Sequence, residues 1–423
     1  MTSSTDPVII IGAGMAGLAC ATWLHRAGRP VLLLEAADAV GGRVRTDVTP
    51  DGFRLDRGFQ ILLTNYPEVR RMFDYGALNL KSFRSGAVIR MADGQETTLE
   101  NPLHAPLMAF AALASPIGTT KDKLLLGKLV AQLAGRSPEG LLARPGQTTL
   151  AYLREFGWSE QIITNFFKPF FGGVYLDREL STASNFFEFV FQQFMQGAAV
   201  IPALGMQQLP EQLASRLPAG AIRLNTPVAA VAEGGRLVHL ASGETLAAAA
   251  VVLATDGPAA ARLLGADLPA PTSPAARPTT CTYFATAGAP PSHGFNILHL
   301  NAQPGALVHN VAFPAQTGAV LAPAGQGLVS VSTHGEHGFS EEELTARLRT
   351  ELAAWFGPVA NMWRHLRTYR IEQALPVYAP GQPVQQELRL GDTLFRCGDW
   401  VSYPSLNAAL STGRQVAEML LAQ

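Results

Sequence analysis

Charge is scarce in this chain: 15% of its 423 residues are Asp, Glu, Lys or Arg, where about 25% is usual. The 32 basic and 33 acidic residues leave a formal net charge of −1. Without a long Lys/Arg run the electrostatic footprint of nucleic-acid binding is missing, which excludes nucleic acid as a principal partner. Cysteine is nearly absent too. Cys20, Cys281 and Cys397 are far apart and form no Cys-x-x-Cys pair, so neither a disulfide framework nor structural zinc is expected. No apolar run reaches the roughly 18 residues of a membrane-spanning helix. Met1 to Pro7 has neither a basic start nor an apolar signal core, so a cytoplasmic location is expected.

What is plentiful is apolar: 48% of the residues are hydrophobic. A chain of this composition and length buries much of itself or works on greasy molecules. Two domains, or one with a large insertion, are expected. Ala105 to Gly118 is almost wholly apolar, is broken by Pro106 and Pro116, and precedes Lys121, Lys123 and Lys128 interleaved with leucines. It reads either as a helical hairpin packed in the molecule or as a segment dipping into a bilayer surface.

The N-terminal run Val8-Ile9-Ile10-Ile11-Gly12-Ala13-Gly14-Met15-Ala16-Gly17 reads as a strand buried on both faces, a glycine turn and a helix start. Gly12 makes the exit, Gly14 admits the close approach of a pyrophosphate, and Gly17 lets the helix pack on the strand. The helix is expected over Met15 to Ala27, its open N–H groups favouring an anion. A second strand, Val31 to Leu34, ends at Glu35, about 18 residues past Gly17 and near the roughly 20 expected of a ribose-binding acid. That acid disfavours NADP. Together these pieces form a dinucleotide site.

The middle of the chain reads as a helix over Gln207 to Arg216 and strands over Ala221 to Leu224, Val228 to Glu233, Leu237 to Leu240 and Ala249 to Ala254. The last returns to the parallel sheet. Phenylalanine concentrates between Phe156 and Met195. Phe187, Phe191 and Phe194 share a helical face, which is more often packing than substrate contact. Lys168 to Tyr175 reads as irregular because Pro169 and Gly172-Gly173 interrupt any helix, making Phe170, Phe171 and Tyr175 candidate pocket walls. His334-Gly335-Glu336-His337 reads as an exposed loop rather than a metal site.

Extended through Gly41-Gly42-Arg43, the first motif resembles that of the flavin-containing amine oxidase superfamily, which includes amine and protoporphyrinogen oxidases and phytoene desaturase-type enzymes. The resemblance implies FAD, held noncovalently since no matched cysteine argues for a covalent link. It implies a Rossmann-type FAD-binding domain of the glutathione reductase-like kind, interleaved with an α+β substrate domain. The expected boundaries are 1–85, 205–265 and 385–423 for FAD, and 86–204 and 266–384 for substrate, with 103–134 helical and open to membrane contact.

By the same resemblance Gly12, Gly14, Met15, Ala16, Gly17, Glu35, Gly41, Gly42 and Arg43 bind the adenosine and pyrophosphate side, with Arg43 pairing phosphate oxygens. Gly58, Phe59 and Gln60 pass the flavin ring, Val228, Ala254 and Thr255 meet the adenosine, and Gly398-Asp399 meets the ribityl chain. Leu406, Asn407 and Ala408 open a helix, beginning near Ala408, aimed at the flavin pyrimidine edge. The arginines often seen at Ala37 and Ala39 are absent, and Ala408 stands where the family has glycine. Trp400 and Tyr403 either wall an aromatic cage for an amine or pack against the C-terminal helix. The expected activity is oxidation or desaturation of a bulky, carotenoid-like or isoprenoid-like apolar small molecule. Amine or protoporphyrinogen oxidation is the alternative, and a prenyl-group carrier, as in the fold relative Rab GDP-dissociation inhibitor, is the rival of another class. No catalytic residue, substrate or oligomeric state is legible.

Overall fold

A computed structural model describes residues 6–100, 116–265, 275–288 and 296–423. Its architecture is mixed α/β. Val8–Ile11, Val31–Leu34 and Ala250–Leu253 are short apolar runs. They join Ile222–Arg223 and Leu394–Arg396 in a five-stranded, wholly parallel sheet ordered 222–223, 31–34, 8–11, 250–253, 394–396. Helix Met15–Arg26 leaves the first strand and ends one residue before its expected limit. The C-terminal helix Leu406–Leu421 lies so close against it that a Cβ at Gly413 would fall 2.2 Å from the Ala16 carbonyl oxygen.

The middle segment follows the expected order with trimmed ends: helix Gln208–Ala214, then strands Ile222–Arg223, Val228–Ala232, Leu237–Leu240 and Ala250–Leu253. One further strand, Thr245–Ala247, pairs with Leu237–Val238 and His239. Sequence reading missed it because it is three residues long, with Leu246 as its one partly buried side chain, too short for an alternation to register.

A second sheet of seven strands is ordered 364–376, 276–287, 326–334, 308–312, 298–301, 86–90, 96–100. All its pairings are antiparallel except that of Leu298–Asn301 with Gly86–Arg90. Helix Glu341–Phe356 covers one side through Leu344, Leu348 and Leu352. Helix Ser184–Gln196 packs on Thr120–Ala134, and helix Lys168–Tyr175 lies against the strands Leu298–Asn301 and Val308–Ala312 of this sheet. A small sheet ties Ala199–Ile201 between Leu62–Leu63 and Lys81–Ser82, so residues from 1–85 and 86–204 share strands.

The stretch 168–175, expected to be irregular, is helical. Pro169 sits in the first turn, where its missing N–H costs little. A π-helical turn, Ile163–Phe167, leads into it, and positive φ at Leu176 ends it. Most of the stretch 105–118 lies outside the described residues, and no helix among the described residues is long and apolar enough to cross a membrane.

Candidate functional site

Between the two sheets lies a cavity of about 1620 Å³, larger than the roughly 300–1,000 Å³ of a single small-molecule site. Its first end is built from the strand–turn–helix unit. Gly12 turns the chain at φ +104°, and a Cβ there would stand 2.9 Å from the Ala254 carbonyl oxygen. Gly17 meets Gly12 so closely that a Cβ would lie 2.1 Å from its oxygen; it does not line the cavity. Gly14 differs. It lines the cavity, and an added Cβ would meet no protein atom within 4 Å. No side chain caps the helix that follows, leaving its first-turn donors for an anion.

The Glu35 carboxylate, at the same end, accepts from the Ala13 N–H at 2.7 Å and the Ala37 N–H at 2.9 Å. Gly41 is held to this turn by its N–H, which donates to the Ala13 oxygen at 2.8 Å. Arg43 lines the cavity and reaches across it to Asp399 at 2.6 Å and to the Ala374 carbonyl at 3.0 Å. Asp399 raises the pKa of the guanidinium, so the arginine stays cationic. Met15, Ala16, Gly42, Val228, Ala254 and Thr255 complete this end, joined by Thr226, Asp256 and Arg262, which sequence reading passed over. Uncapped amides, a ribose-suited carboxylate, a glycine with open space and a fixed guanidinium fit a dinucleotide.

Gly58, Phe59 and Gln60 lie midway. Gly58 has φ +97°, and a Cβ there would come 2.9 Å from Ile371 Cδ1. Gln60 Nε2 donates to the carbonyls of Arg43 and Arg57 at 2.9 and 3.0 Å, which fixes its amide. Gly398, Asp399 and Leu406 also line this region. The C-terminal helix begins at Leu406, two residues before the expected start. Ser405 Oγ takes the Ala408 N–H at 3.0 Å. Asn407 is turned inward, accepting from Glu68 N–H and donating to Tyr403 Oη. Neither Asn407 nor Ala408 lines the cavity.

The far end is aromatic. Phe166 and Phe170 stack at 5.5 Å, and Phe170 meets Phe194 edge-on at 5.0 Å. Phe171 and Phe191 join this wall, whereas Phe187 is core. Tyr175, Trp400 and Tyr403, expected as possible pocket walls, do not line the cavity. Tyr175 is packed among Phe171 and Phe186, Trp400 Nε1 donates to the Thr255 carbonyl, and Tyr403 packs on Phe186 and Phe189. The aromatic cage is therefore not formed by these two rings.

The expected exposed loop at His334 is also corrected. His334 ends the strand Gln326–His334, lines the cavity and lies 3.8 Å from the His309 ring. Burial lowers its pKa to about 4. The polar pair His309-Asn310 inside the buried strand Val308–Ala312 was the signal that could have found this cluster. Among the described residues no group of three or more His, Cys, Asp or Glu could hold a metal. Cys20, Cys281 and Cys397 are free and buried.

A family model described as flavin containing amine oxidoreductase matches residues 15–421. The chain is 29% identical over 250 residues to putrescine oxidase of Kocuria rosea, covering 55% of this chain and 51% of that protein. It is 29% identical over 296 residues to phytoene dehydrogenase of Streptomyces griseus, covering 62% and 56%. The chain thus spans about half the length of these curated relatives. Among solved structures, putrescine oxidase bound to putrescine superposes with a TM-score of 0.73 at 20% identity over 99% of both chains. Reduced UDP-galactopyranose mutase gives 0.71 at 16% identity over 99% of this chain and 96% of that one. At these identities the likeness establishes the fold alone.

Proposed function

The chain belongs to the flavin-containing amine oxidoreductase family, whose membership implies a flavin cofactor, and from that premise we propose that it is an FAD-dependent oxidase or desaturase of bulky apolar, isoprenoid-like molecules. The parallel sheet is read as the core of a Rossmann-type FAD domain of the glutathione reductase-like kind. Its pieces are 1–85, 205–265 and 385–423, with 86–204 and 266–384 forming the substrate domain. FAD supplies a hydride acceptor at its ring. This chain's residues would hold the adenosine at Glu35, the pyrophosphate at Gly14–Ala16 and Arg43, and the ring beside Gly58–Gln60.

The observation that carries the substrate class is the phenylalanine wall, continuous with the dinucleotide end in one cavity. Such a wall excludes water and orients an apolar chain by shape. The rival, amine oxidation, is favoured by the similarity to putrescine oxidase. Against it, three of the four carboxylates that line the cavity among the described residues are engaged on both oxygens or by a cation: Glu35 holds backbone amides, Asp399 holds Arg43, and Asp122 accepts from Thr119 and Ser159. The fourth, Asp256, accepts from the Ala259 N–H and lies beside Thr255 at the dinucleotide end, away from the phenylalanine wall.

Cys281 lines the cavity near Phe59, but burial raises its thiol to about 11, which supports noncovalent FAD. Leu124, 75% exposed between Lys121 and Lys128, supports peripheral contact with an anionic bilayer as the source of a greasy substrate. The test is anaerobic addition of isoprenoid, porphyrinogen and amine substrates to the purified flavoprotein. Bleaching of the flavin absorbance by the isoprenoids alone is expected. Bleaching by amines alone overturns the reading, and folded protein without flavin favours a carrier.

A further inference from the structure

One wall of the cavity is phenylalanine, but part of its sheet wall is polar. Pairing of Val308–Ala312 with Gln326–His334 passes from Val308 opposite Thr333 to Asn310 opposite Ser332, leaving His309 as the extra residue of a β-bulge. Successive residues of a regular strand face opposite sides, and a bulge re-aims one of them. Here both His309 and Asn310 line the cavity, although they are only 4% and 6% exposed. His309 crosses the ring of His334 at 82°.

Among the described residues His309 Nε2, both ring nitrogens of His334 and Asn310 Oδ1 are buried without a hydrogen-bond partner. Native interiors rarely leave such groups unmatched without a use for them. Gly173, on the helix Lys168–Tyr175, packs directly on this cluster: a Cβ there would stand 2.8 Å from His309 Nε2 and 3.4 Å from Asn310 Nδ2, so any added side chain would press on the pair.

Burial holds both imidazoles neutral. His309 makes a backbone hydrogen bond at Pro169. With Nε2 unpartnered, that bond belongs to Nδ1–H, so Nε2 carries the lone pair. These uncharged groups, lone pairs on the imidazoles and on Asn310 Oδ1 beside an imidazole N–H of His334 and the Asn310 amide N–H, match a hydroxyl, which donates and accepts. They match a hydrocarbon poorly.

We propose that His309, Asn310 and His334, with Ser332 beside them, form a specificity subsite for a hydroxyl on an otherwise apolar, elongated substrate. The proposal rests on the apolar-substrate reading and narrows it from hydrocarbon to alcohol. Thr279 pairs with His334 on one side and Ile371 on the other, and Gly58 rests on Ile371. His334 is therefore two strand spacings, roughly 10 Å, from Ile371, the residue on which Gly58 packs. A hydroxyl bound there holds its chain with a C–H bond several carbons away presented to that segment.

The test titrates the flavin-loaded protein with geranylgeraniol and with the same chain bearing hydrogen in place of the hydroxyl. Binding is followed by the tryptophan fluorescence, to which Trp158 contributes from the cavity wall, and by the flavin absorbance. The alcohol is expected to bind at least about tenfold more tightly. Asn310→Leu and Gly173→Ala, matched for flavin content, should each erase most of that preference while leaving the hydrocarbon affinity within about twofold. Equal affinities in the unmodified protein overturn the subsite and leave the apolar reading standing, and so does a preference that survives both substitutions. Failure of both probes to bind, with bleaching by an amine, overturns the apolar reading and the subsite together.

Discussion

A histidine that burial keeps uncharged stabilises a fold only while it stays uncharged. Desolvation lowers His334 to about 4 in the folded protein, while in the unfolded chain it titrates near 6.5. Between those values the unfolded state binds a proton that the native state refuses. Stability is therefore full above pH 6.5 and falls as the pH drops toward 4, by at most about 3 kcal/mol from this group. Urea midpoints at pH 7.5, 5.5 and 4.5 measure it. His334→Gln, which cannot titrate, should lose less stability across that window than the parent protein. Parallel profiles would mean that the imidazole is hydrated and titrates normally.

The elements of the dinucleotide half were legible because short-range rules write them. Val8–Ile11, Met15–Arg26 and Val31–Leu34 each carry an apolar run or a glycine at a fixed offset, and Ala250–Leu253 repeats the pattern. The phenylalanine half was less legible because tertiary contacts decide it. Pro169 and Gly172 look like breakers, yet proline is harmless in a first turn. The π turn before it and the ring packing of Phe170 and Phe171 support the helix. The bulge at His309 is marked locally only by the polar pair His309-Asn310 in a buried strand, and its register exists only against the partner strand Gln326–His334.

Glycines at one helix start separate packing from ligand contact. Gly14→Ala adds a methyl where no protein atom lies within 4 Å, at an ordinary φ of −73°. It should therefore fold with unchanged apoprotein stability and lose flavin affinity. Gly17→Ala forces a Cβ to 2.1 Å from the Gly12 oxygen, and should cost several kcal/mol, on the order of 3 or more, whether or not flavin is present. Melting of both apoproteins alongside flavin titration distinguishes the two. Equal loss of stability in both variants would remove Gly14 from the ligand-facing set.

At the scale of the whole molecule, the parallel sheet is assembled from three stretches far apart in the chain. Its strands near residues 8–34, 222–253 and 394–396 meet only after folding. The cavity draws its walls from the same stretches and from the seven-stranded sheet. Arg43 and Asp399, 356 residues apart, already bridge it. A cofactor seated there contacts all of these pieces at once and binds the folded state alone, so it must shift the unfolding equilibrium by mass action. FAD at a hundredfold excess over its Kd should add about 2.7 kcal/mol and raise Tm in proportion to the logarithm of its concentration. Because the expected attachment is noncovalent, acid precipitation should release all of the yellow colour into the supernatant, and the apoprotein so obtained should regain its Tm on adding FAD. Stoichiometric flavin binding with no change in Tm would mean that the unfolded chain binds it as well as the folded one, so that the assembled cavity is not what holds it. Colour that stays with the precipitate would mean that a protein side chain is bonded to it.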